Sequence, residues 1–500
     1  MGSMLLNQAN RLSVVVFVSG AIGMVVELVG SRVLSPFFGN SLFVWTGLIG
    51  VILGSLSLGY YLGGKLADKN GNMSSLAKVL MIAGTFILLT AFLKEFVLVN
   101  LATVFKEKTE LASLIAILIL FAPASIALGC VSPLAAKIRI VTTEYAGSVV
   151  GNLYALSTLG SITGTFFAGY LLIPGFGNSA LLYILAGILF LLSCIASAGI
   201  PRISGFLLAM TLLLYYLENG IGFLKLDVLA DVDSLYNRIL IRKMVYKNKE
   251  TLTISTEKYG TQSLVFVDSP GELVTEYTNA YRIGNLVTGN INNALMLGGA
   301  GFTFPRYFLE NNLGKNIDVV EIDGKMVEMA RKYFYLKSDT RMNIYLSDAR
   351  TFVRNTDKKY DIIYVDVFNT ISPPYYLATK QFFEDLKKHL TDNGVIMVNI
   401  ISATRGAKSI FLNAEVSTLR SVYNKIDLFV IQPRNSDQVQ NLMLVAYNGD
   451  RKNGLSTQDE NLKRFISERY PMDNQNNSSK VLTDDYSPVD YITSNLYFDN

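Results

Sequence analysis

Hydrophobicity divides the chain near residue 225. Long apolar runs follow one another from Leu12 to Leu224, and beyond them short apolar runs alternate with charged, helix-periodic stretches. Seven runs are long enough for a bilayer's hydrocarbon layer, near 12–34, 42–64, 77–99, 112–136, 147–173, 180–200 and 203–224. The last is interrupted by Glu218-Asn219-Gly220. The first is too long for a cleaved leader and lacks a small-residue cleavage site. Past Lys225, Tyr236–Met244, Thr251–Thr256 and Ser263–Asp268 are β-branched and aromatic with turns between them, which predicts a small antiparallel sheet. Glu272–Leu286 predicts a helix with Tyr277 and Tyr281 on one face.

From Asn292 apolar strands alternate with helices predicted at 304–313, 324–335, 349–355, 379–390 and 407–423. Asn393-Gly394 is a turn ahead of a strand at Val395–Ile401, and two further strands fall near 426–432 and 440–447. This alternation predicts an open, mostly parallel sheet with helices on both faces and an antiparallel edge. Residues 448–480 are polar and predict a mobile excursion, whereas Thr483–Asp490 is regular enough to fold back over a site. The expected layout is a tail at 1–11, a polytopic α-helical membrane domain of about seven helices at 12–224, a small β domain with its connecting helix at 227–290, and an α/β domain at 291–500. Met1-Gly-Ser-Met4 has the look of a cloning scar ahead of a native start.

Composition narrows the chemistry. A net charge of +4, dispersed along 500 residues, gives no argument for nucleic acid. Cys130 and Cys194 both lie in apolar runs, so neither a disulfide framework nor a metal cluster is supported. His389, the single histidine, closes a predicted helix beside Lys387 and Lys388 and reads as a solvated C-terminal charge. In the membrane half Gly50/Gly54, Gly59/Gly63 and Gly160/Gly164 repeat at four-residue spacing, as close helix packing requires. Glu27 lies well inside the first span and needs a partner or a wet cavity. Arg32 is a candidate, and a structural ion pair and a functional site stay equally open. Gly59–Asp68 is similar to the short cytoplasmic loop of major-facilitator transporters, over that loop alone.

Charge bias and span count conflict. Arg11, Lys65, Lys69, Lys78, Lys137, Arg139 and Arg202 fall on the N-terminal side, against Arg32, Lys94, Lys106, Lys108 and Lys225. The bias favours a cytoplasmic N-terminus. Seven spans then place the second half outside the cell, away from cytoplasmic nucleosides. A cytoplasmic second half is the expectation carried forward and an extracytoplasmic one its alternative.

The candidate chemistry sits at strand ends. Leu295-Met-Leu-Gly-Gly-Ala-Gly301 is an apolar run that ends in glycines and enters a helical pattern, the way a buried strand delivers its chain to a helix N-terminus. About twenty residues on, the next strand ends in Glu321, placed to accept ribose hydroxyls. Asn343–Asp348 ends in Asp348, which could meet an adenine edge, and Tyr360–Asp366 ends in Asp366. Three successive strands ending in acids at one edge predict a nucleoside-binding crevice.

Residues from about Asp233 onward resemble the spermidine synthase family of aminopropyltransferases, a branch of the class I S-adenosylmethionine-binding fold. The pieces that carry this are Leu297-Gly-Gly-Ala-Gly301, Val320-Glu-Ile-Asp323, Ser347-Asp-Ala349 and Ile363-Tyr-Val-Asp366, with Ser234–Ile241 similar to the first strand of that family's small β domain. The membrane segment and Leu482-Thr-Asp-Asp-Tyr-Ser-Pro-Val-Asp490 resemble a bacterial and archaeal membrane-fused subgroup. The resemblance implies a Rossmann-like sheet and a donor held by Gly298, Gly299, Gly301, Glu321 and Asp348. It further implies Asp366 as the catalytic base and Tyr277 lining the acceptor site.

Two departures bear on the substrates. The family typically reads Gly-Gly-Gly-Asp-Gly in the first loop, where the aspartate holds the donor's ammonium, and Gly301 stands there. A second aspartate three residues beyond the base holds a diamine, and Asn369 stands there. Loss of an anion at 301, bared loop amides and Arg306 one turn into the helix point to intact S-adenosylmethionine, because an aspartate beside the donor's carboxylate would cost about 1–4 kcal/mol. Asn369 points away from a simple diamine acceptor.

The expected function is a membrane-integrated transferase. It moves a 3-amino-3-carboxypropyl or aminopropyl group from S-adenosylmethionine or its decarboxylated form to an amine or membrane-associated acceptor, without a metal. The expected partners are the donor, the acceptor and the lipid bilayer, with a homodimer allowed for. The alternatives are a methyltransferase, or a non-catalytic polyamine or nucleoside transporter or sensor.

Overall fold

A computed structural model describes residues 2–39, 41–105, 108–140, 145–196, 201–221, 227–256, 260–368, 372–432, 438–451, 454–472 and 479–494. These separate into two compact units. One holds the residues through Ile221 together with Val232–Asn237, and the other holds Asp227–Asp231 and the described residues from Arg238.

The first unit is helical, as its long apolar runs predict. Among the described residues, five helices are long and apolar enough to cross a membrane: Gln8–Phe38, Leu42–Asn70, Met73–Val104, Ala146–Leu172 and Asn178–Ala196. The run expected at 112–136 is broken instead. Thr109–Leu120 and Ala122–Arg139 meet at 46°, where Pro123 cannot donate to the helix ladder. Counted as one, the bent pair gives six spans. The run expected at 203–224 is a helix over Pro201–Ile221, with an apolar stretch at Ile203–Leu217.

Close packing uses some of the predicted glycines. A side chain at Gly160 or Gly164 would strike the backbone of Phe17 or Ala21, and one at Gly59 or Gly63 would strike Ile126 or Cys130. Gly50 and Gly54 face open space, so the packing role expected of them is not theirs. Arg32 donates to the Ser234 carbonyl oxygen at 2.7 Å. Asp233 caps Asn178–Ala196 from a distance in sequence, accepting the Asn178 backbone N–H at 2.9 Å and its side-chain amide at 3.0 Å.

The second unit opens with a four-stranded sheet ordered β1-β2-β3-β4, from β1 (Val228–Asp233), β2 (Arg238–Tyr246), β3 (Lys249–Ser255) and β4 (Ser263–Phe266). Strand β1 has no counterpart among the predicted strands. β2 and β3 pair antiparallel through a two-residue turn in which Lys247 and Asn248 both have positive φ, the geometry that matches strand twist. The single helix expected at 272–286 is two short ones, Glu276–Ala280 and Ile283–Thr288, the first capped by Thr275.

Eight strands form the main sheet: β5 (Asn293–Leu297), β6 (Asn316–Glu321), β7 (Met342–Leu346), β8 (Tyr360–Val365), β9 (Leu390–Ser402), β10 (Lys425–Val430), β11 (Gln440–Tyr447) and β12 (Arg469–Pro471). Their order is β12-β10-β11-β9-β8-β5-β6-β7. β5 to β9 run parallel, and β10, β11 and β12 pair antiparallel at one side. Helices Thr303–Asn311, Gly324–Tyr333, Ala349–Asn355, Lys380–Lys388 and Ile410–Arg420 fill the crossovers.

Asn393-Gly394 is not a free turn. It lies within β9, where the pairing with β8 shifts register between Tyr360 and Ile362. The polar stretch 448–480, expected as a mobile excursion, holds the helix Glu460–Ser467 and β12. Strand order reverses between β5 and β8, and a crevice opens beyond their carboxyl ends at such a point.

Candidate functional site

The loop after β5 is tightly wound. Gly298, Ala300 and Phe302 have φ of 93°, 42° and 54°, and a side chain at 298 would overlap the Asp366 carbonyl. Its amides are already used. Gly298 donates to the Val320 carbonyl at 2.9 Å, and Gly299 and Ala300 donate to Glu321 Oε2 at 2.9 and 3.0 Å. Gly301 donates to Ser263 Oγ at 3.1 Å, and Phe302 to the Gly299 carbonyl at 2.7 Å. The bared N–H groups expected to receive a donor carboxylate are therefore occupied.

Glu321 is buried, and its Oε1 accepts Asp323 N at 3.0 Å. Burial pushes its carboxyl above the usual range, and the three backbone donors oppose that rise. In this arrangement it ties the glycine loop to β6. Asp348 caps Ala349–Asn355 through Thr351 N at 2.9 Å and accepts the Tyr376 hydroxyl at 3.0 Å. Arg306 does not carry positive charge into the crevice as expected. Its guanidinium donates to the Pro270 carbonyl oxygen, and burial lowers its pKa. Asn369 lies outside the described residues.

Asp366 does reach a cavity. About 160 Å³ in volume, it is lined by Gly298, Gly299 and Ala300, by Tyr277, Tyr281, Phe304 and Phe368, and by Gln262, Ser263, Asn399 and Asn441 among others. Among the described lining residues, Asp366 is the one with a formal charge. Its Oδ1 accepts Asn399 Nδ2 at 3.0 Å. Burial raises its pKa, against the Asn399 hydrogen bond first and the neighbouring Tyr281 hydroxyl second. The Tyr281 hydroxyl is fully buried beside Asp366, yet among the described residues no partner sits at good hydrogen-bonding geometry. Tyr281 packs against Phe304 and Tyr364 with ring centroids at 4.9 and 5.4 Å, which fixes its ring. Tyr277 donates to the Gln262 carbonyl at 2.8 Å, and burial raises its pKa.

Of the predicted residues, Gly298, Gly299, Tyr277 and Asp366 line the cavity, whereas Gly301, Arg306, Glu321 and Asp348 stand outside its lining. Gln262, Ser263, Asn399 and Asn441 were missed. Asn399 and Asn441 were detectable as polar residues inside apolar strands, where a buried amide needs a reason. The tail does not cover the cavity with its acids. Asp484 forms a two-pronged ion pair with Arg350 at 2.8 and 2.6 Å and accepts Thr379 Oγ1 at 2.8 Å. His389 is half-buried and its Nδ1 lies 3.1 Å from the Lys358 carbonyl oxygen. Among the described residues no three His, Cys, Asp or Glu side chains converge as metal ligands would.

A mostly parallel α/β sheet with its crevice at the strand-order reversal places the second unit among Rossmann-like folds. More specifically, residues 280–432 match the spermine/spermidine synthase domain. The chain is 26% identical over 294 residues to a probable polyamine aminopropyl transferase of Bifidobacterium longum, covering 55% of this chain and 64% of that relative. It is 26% identical over 212 residues to a polyamine aminopropyltransferase of Vibrio vulnificus, covering 40% of this chain and 69% of that one. The chain thus spans less than two thirds of the Bifidobacterium relative. A probable spermidine synthase from Corynebacterium glutamicum superposes with a TM-score of 0.39 at 20% identity, over 46% of this chain and 83% of that one.

Proposed function

We propose that the protein is a membrane-integrated aminopropyl-type transferase whose donor is decarboxylated S-adenosylmethionine and whose acceptor is an amine. The observation that carries this is the cavity's charge: Asp366 is its one formally charged described residue, with no cation among the others that line it. An anion with no cation suits a donor that presents a sulfonium and an ammonium. The intact donor's carboxylate would meet neither Arg306, which stands outside the cavity's lining and donates to Pro270, nor free loop amides. This reverses the preference for the intact donor drawn from Gly301, the loop amides and Arg306.

In the proposed reaction the acceptor nitrogen attacks the propyl carbon bonded to sulfur. The C–S bond breaks with its electron pair to sulfur, methylthioadenosine leaves neutral, and the nitrogen's proton passes to Asp366. A buried carboxylate with a raised pKa is a stronger base than an exposed one, which suits it to this transfer. Glu321 and Asp348 would meet the donor's nucleoside only by exchanging their present partners for its hydroxyls and adenine edge.

The bilayer reading rests on five long apolar helices and on large side chains exposed along them, such as Phe92, Phe96 and Phe166. If the bent pair is one span and the helix Pro201–Ile221 does not cross, six spans return the chain to its starting side. Lys225 then joins Arg11, Lys65, Lys69, Lys78, Lys137, Arg139 and Arg202, eight charges against Arg32, Lys94, Lys106 and Lys108. The charge bias and the span count then agree on a cytoplasmic transferase domain. Incubating the full chain with each donor and an amine, and resolving products by mass, tests the activity. Methylthioadenosine from the decarboxylated donor is expected; S-adenosylhomocysteine from the intact donor would establish methyl transfer instead. Sidedness is tested with a membrane-impermeant thiol label on Asn70→Cys, at the exposed end of Leu42–Asn70. That cysteine should be protected in intact cells and labelled once they are permeabilised; labelling in intact cells would reverse the orientation.

A further inference from the structure

One oxygen of Asp366 is held from the neighbouring strand. Oδ1 accepts Asn399 Nδ2 at 3.0 Å, and the Asn399 side-chain oxygen in turn accepts Asn441 Nδ2 at 3.1 Å. Sheet register creates this line. Val365 of β8 pairs with Val398 of β9, which brings Asp366 alongside Asn399. β9 and β11 pair Asn399 with Met443 and Ile401 with Asn441, so Asn399 and Asn441 are diagonal neighbours on one face. Asn399 is 3% exposed, and both asparagines line the cavity.

The order of donors and acceptors along the line follows from chemistry. An ionised carboxylate only accepts, so Asn399 must turn its NH₂ toward Asp366. Its carbonyl oxygen then faces Asn441, which must supply an N–H. Flipping either amide would set oxygen against oxygen.

We propose that Asn441 and Asn399 are positioning residues for Asp366, a side-chain amide relay that holds one carboxylate oxygen and leaves the other to take the acceptor's proton. This rests on Asp366 being the proton acceptor of the transfer proposed above. The relay also favours the ionised carboxylate against burial. The groups that face Asp366 are Asn399 from β9 and, from the segment around Glu276–Ala280, Tyr277 and Tyr281. With Asn441 gone, Asn399 is free to turn its oxygen to the carboxylate, and Asp366 binds a proton more readily.

The full chain, purified in detergent, is compared as wild type, Asn399→Leu, Asn441→Leu and Asn441→Gln. Methylthioadenosine release is followed across pH. The acid limb of kcat/KM should move up by about one pH unit in Asn399→Leu and about half a unit in Asn441→Leu, with kcat at pH 7 falling about tenfold or more in the first. Acceptor KM should hold, and Asn441→Gln, which keeps an N–H, should restore the wild-type limb. An unmoved acid limb in both leucine variants overturns the relay, as does a raised acceptor KM with unchanged limb. The protonated-carboxyl infrared band of Asp366, identified by its loss in Asp366→Asn, gives a second reading without turnover. Its midpoint should rise in Asn441→Leu. If wild type releases no methylthioadenosine, the transfer reading fails, and the infrared midpoint alone decides the relay: an unchanged midpoint overturns it.

Discussion

Gly298→Ala tests how tightly the site is built. A Cβ at 298 would lie 2.9 Å from the Asp366 carbonyl carbon and closer still to its oxygen. The oxygen would lie 1.9 Å away, and a Cβ tolerates neighbours no closer than about 3.0–3.4 Å, so the two strand ends must part by roughly 1.1–1.5 Å. Neither can move alone, because Asp366 N donates to the Leu297 carbonyl and Gly298 N to the Val320 carbonyl, both at 2.9 Å. The left-handed φ of 93° adds about 1–2 kcal/mol for a non-glycine residue, and forced repacking about 1–3 kcal/mol. Together the cost is about 2–5 kcal/mol, a fall in Tm of roughly 5–15 °C for a unit of this size. A displacement near 1 Å at a proton acceptor also costs about 100-fold in turnover. The assay is methylthioadenosine release with thermal unfolding on the same preparations. Gly314→Ala is the control: its φ is 72°, but a Cβ there meets nothing within 4 Å. It should lose about 1–2 kcal/mol and keep full turnover. If Gly298→Ala matches this control in both readouts, the close approach is not there and the reasoning fails.

Asp366→Asn should cut turnover by about 100-fold or more while calorimetry finds donor affinity largely kept, because shape remains and the proton acceptor is lost. Gly301→Asp should not switch donors but weaken both, since a Cβ there lies 2.7 Å from Phe334 and from Ser263; binding of both donors, with a folding check, decides this. Arg350 holds the Asp484 carboxyl below its ordinary range. A depressed folded pKa gives stability that is present above the unfolded value, about 3.9, and is lost as pH falls through the folded one. Asp484→Asn should therefore lower Tm at pH 7, with the gap to wild type closing as pH falls below about 4 in melts across pH.

Much of the second unit was legible because its physics is local. Buried parallel strands must be apolar runs, and β5, β6 and β8 are runs that end beside Gly298, in Glu321 and beside Asp366. What the runs cannot carry is the partner of each polar end. Glu321 fits a ribose in sequence spacing, but in the fold it collects two loop amides, and Arg306 reaches a carbonyl 36 residues away in sequence. The Asn399–Asn441 contact depends on the register of two antiparallel strands, which hydropathy leaves undetermined. In the first unit, hydropathy found the apolar runs but not the 46° bend, because the effect of Pro123 depends on how its neighbours repack.

The cap that Asp233 places on Asn178–Ala196 has a practical consequence for taking the protein apart. Hydropathy suggests a cut just after Lys225, and a fragment made there would carry Val232–Asn237 away from the helices they belong with. The helical piece would keep an uncapped Asn178 and an Arg32 deprived of the Ser234 carbonyl. A cut after Asn237 spares those bonds but strips β1 from its sheet. Neither fragment is a clean subset of the whole, so a failure of either to fold or bind would report on the scissors before it reported on the protein.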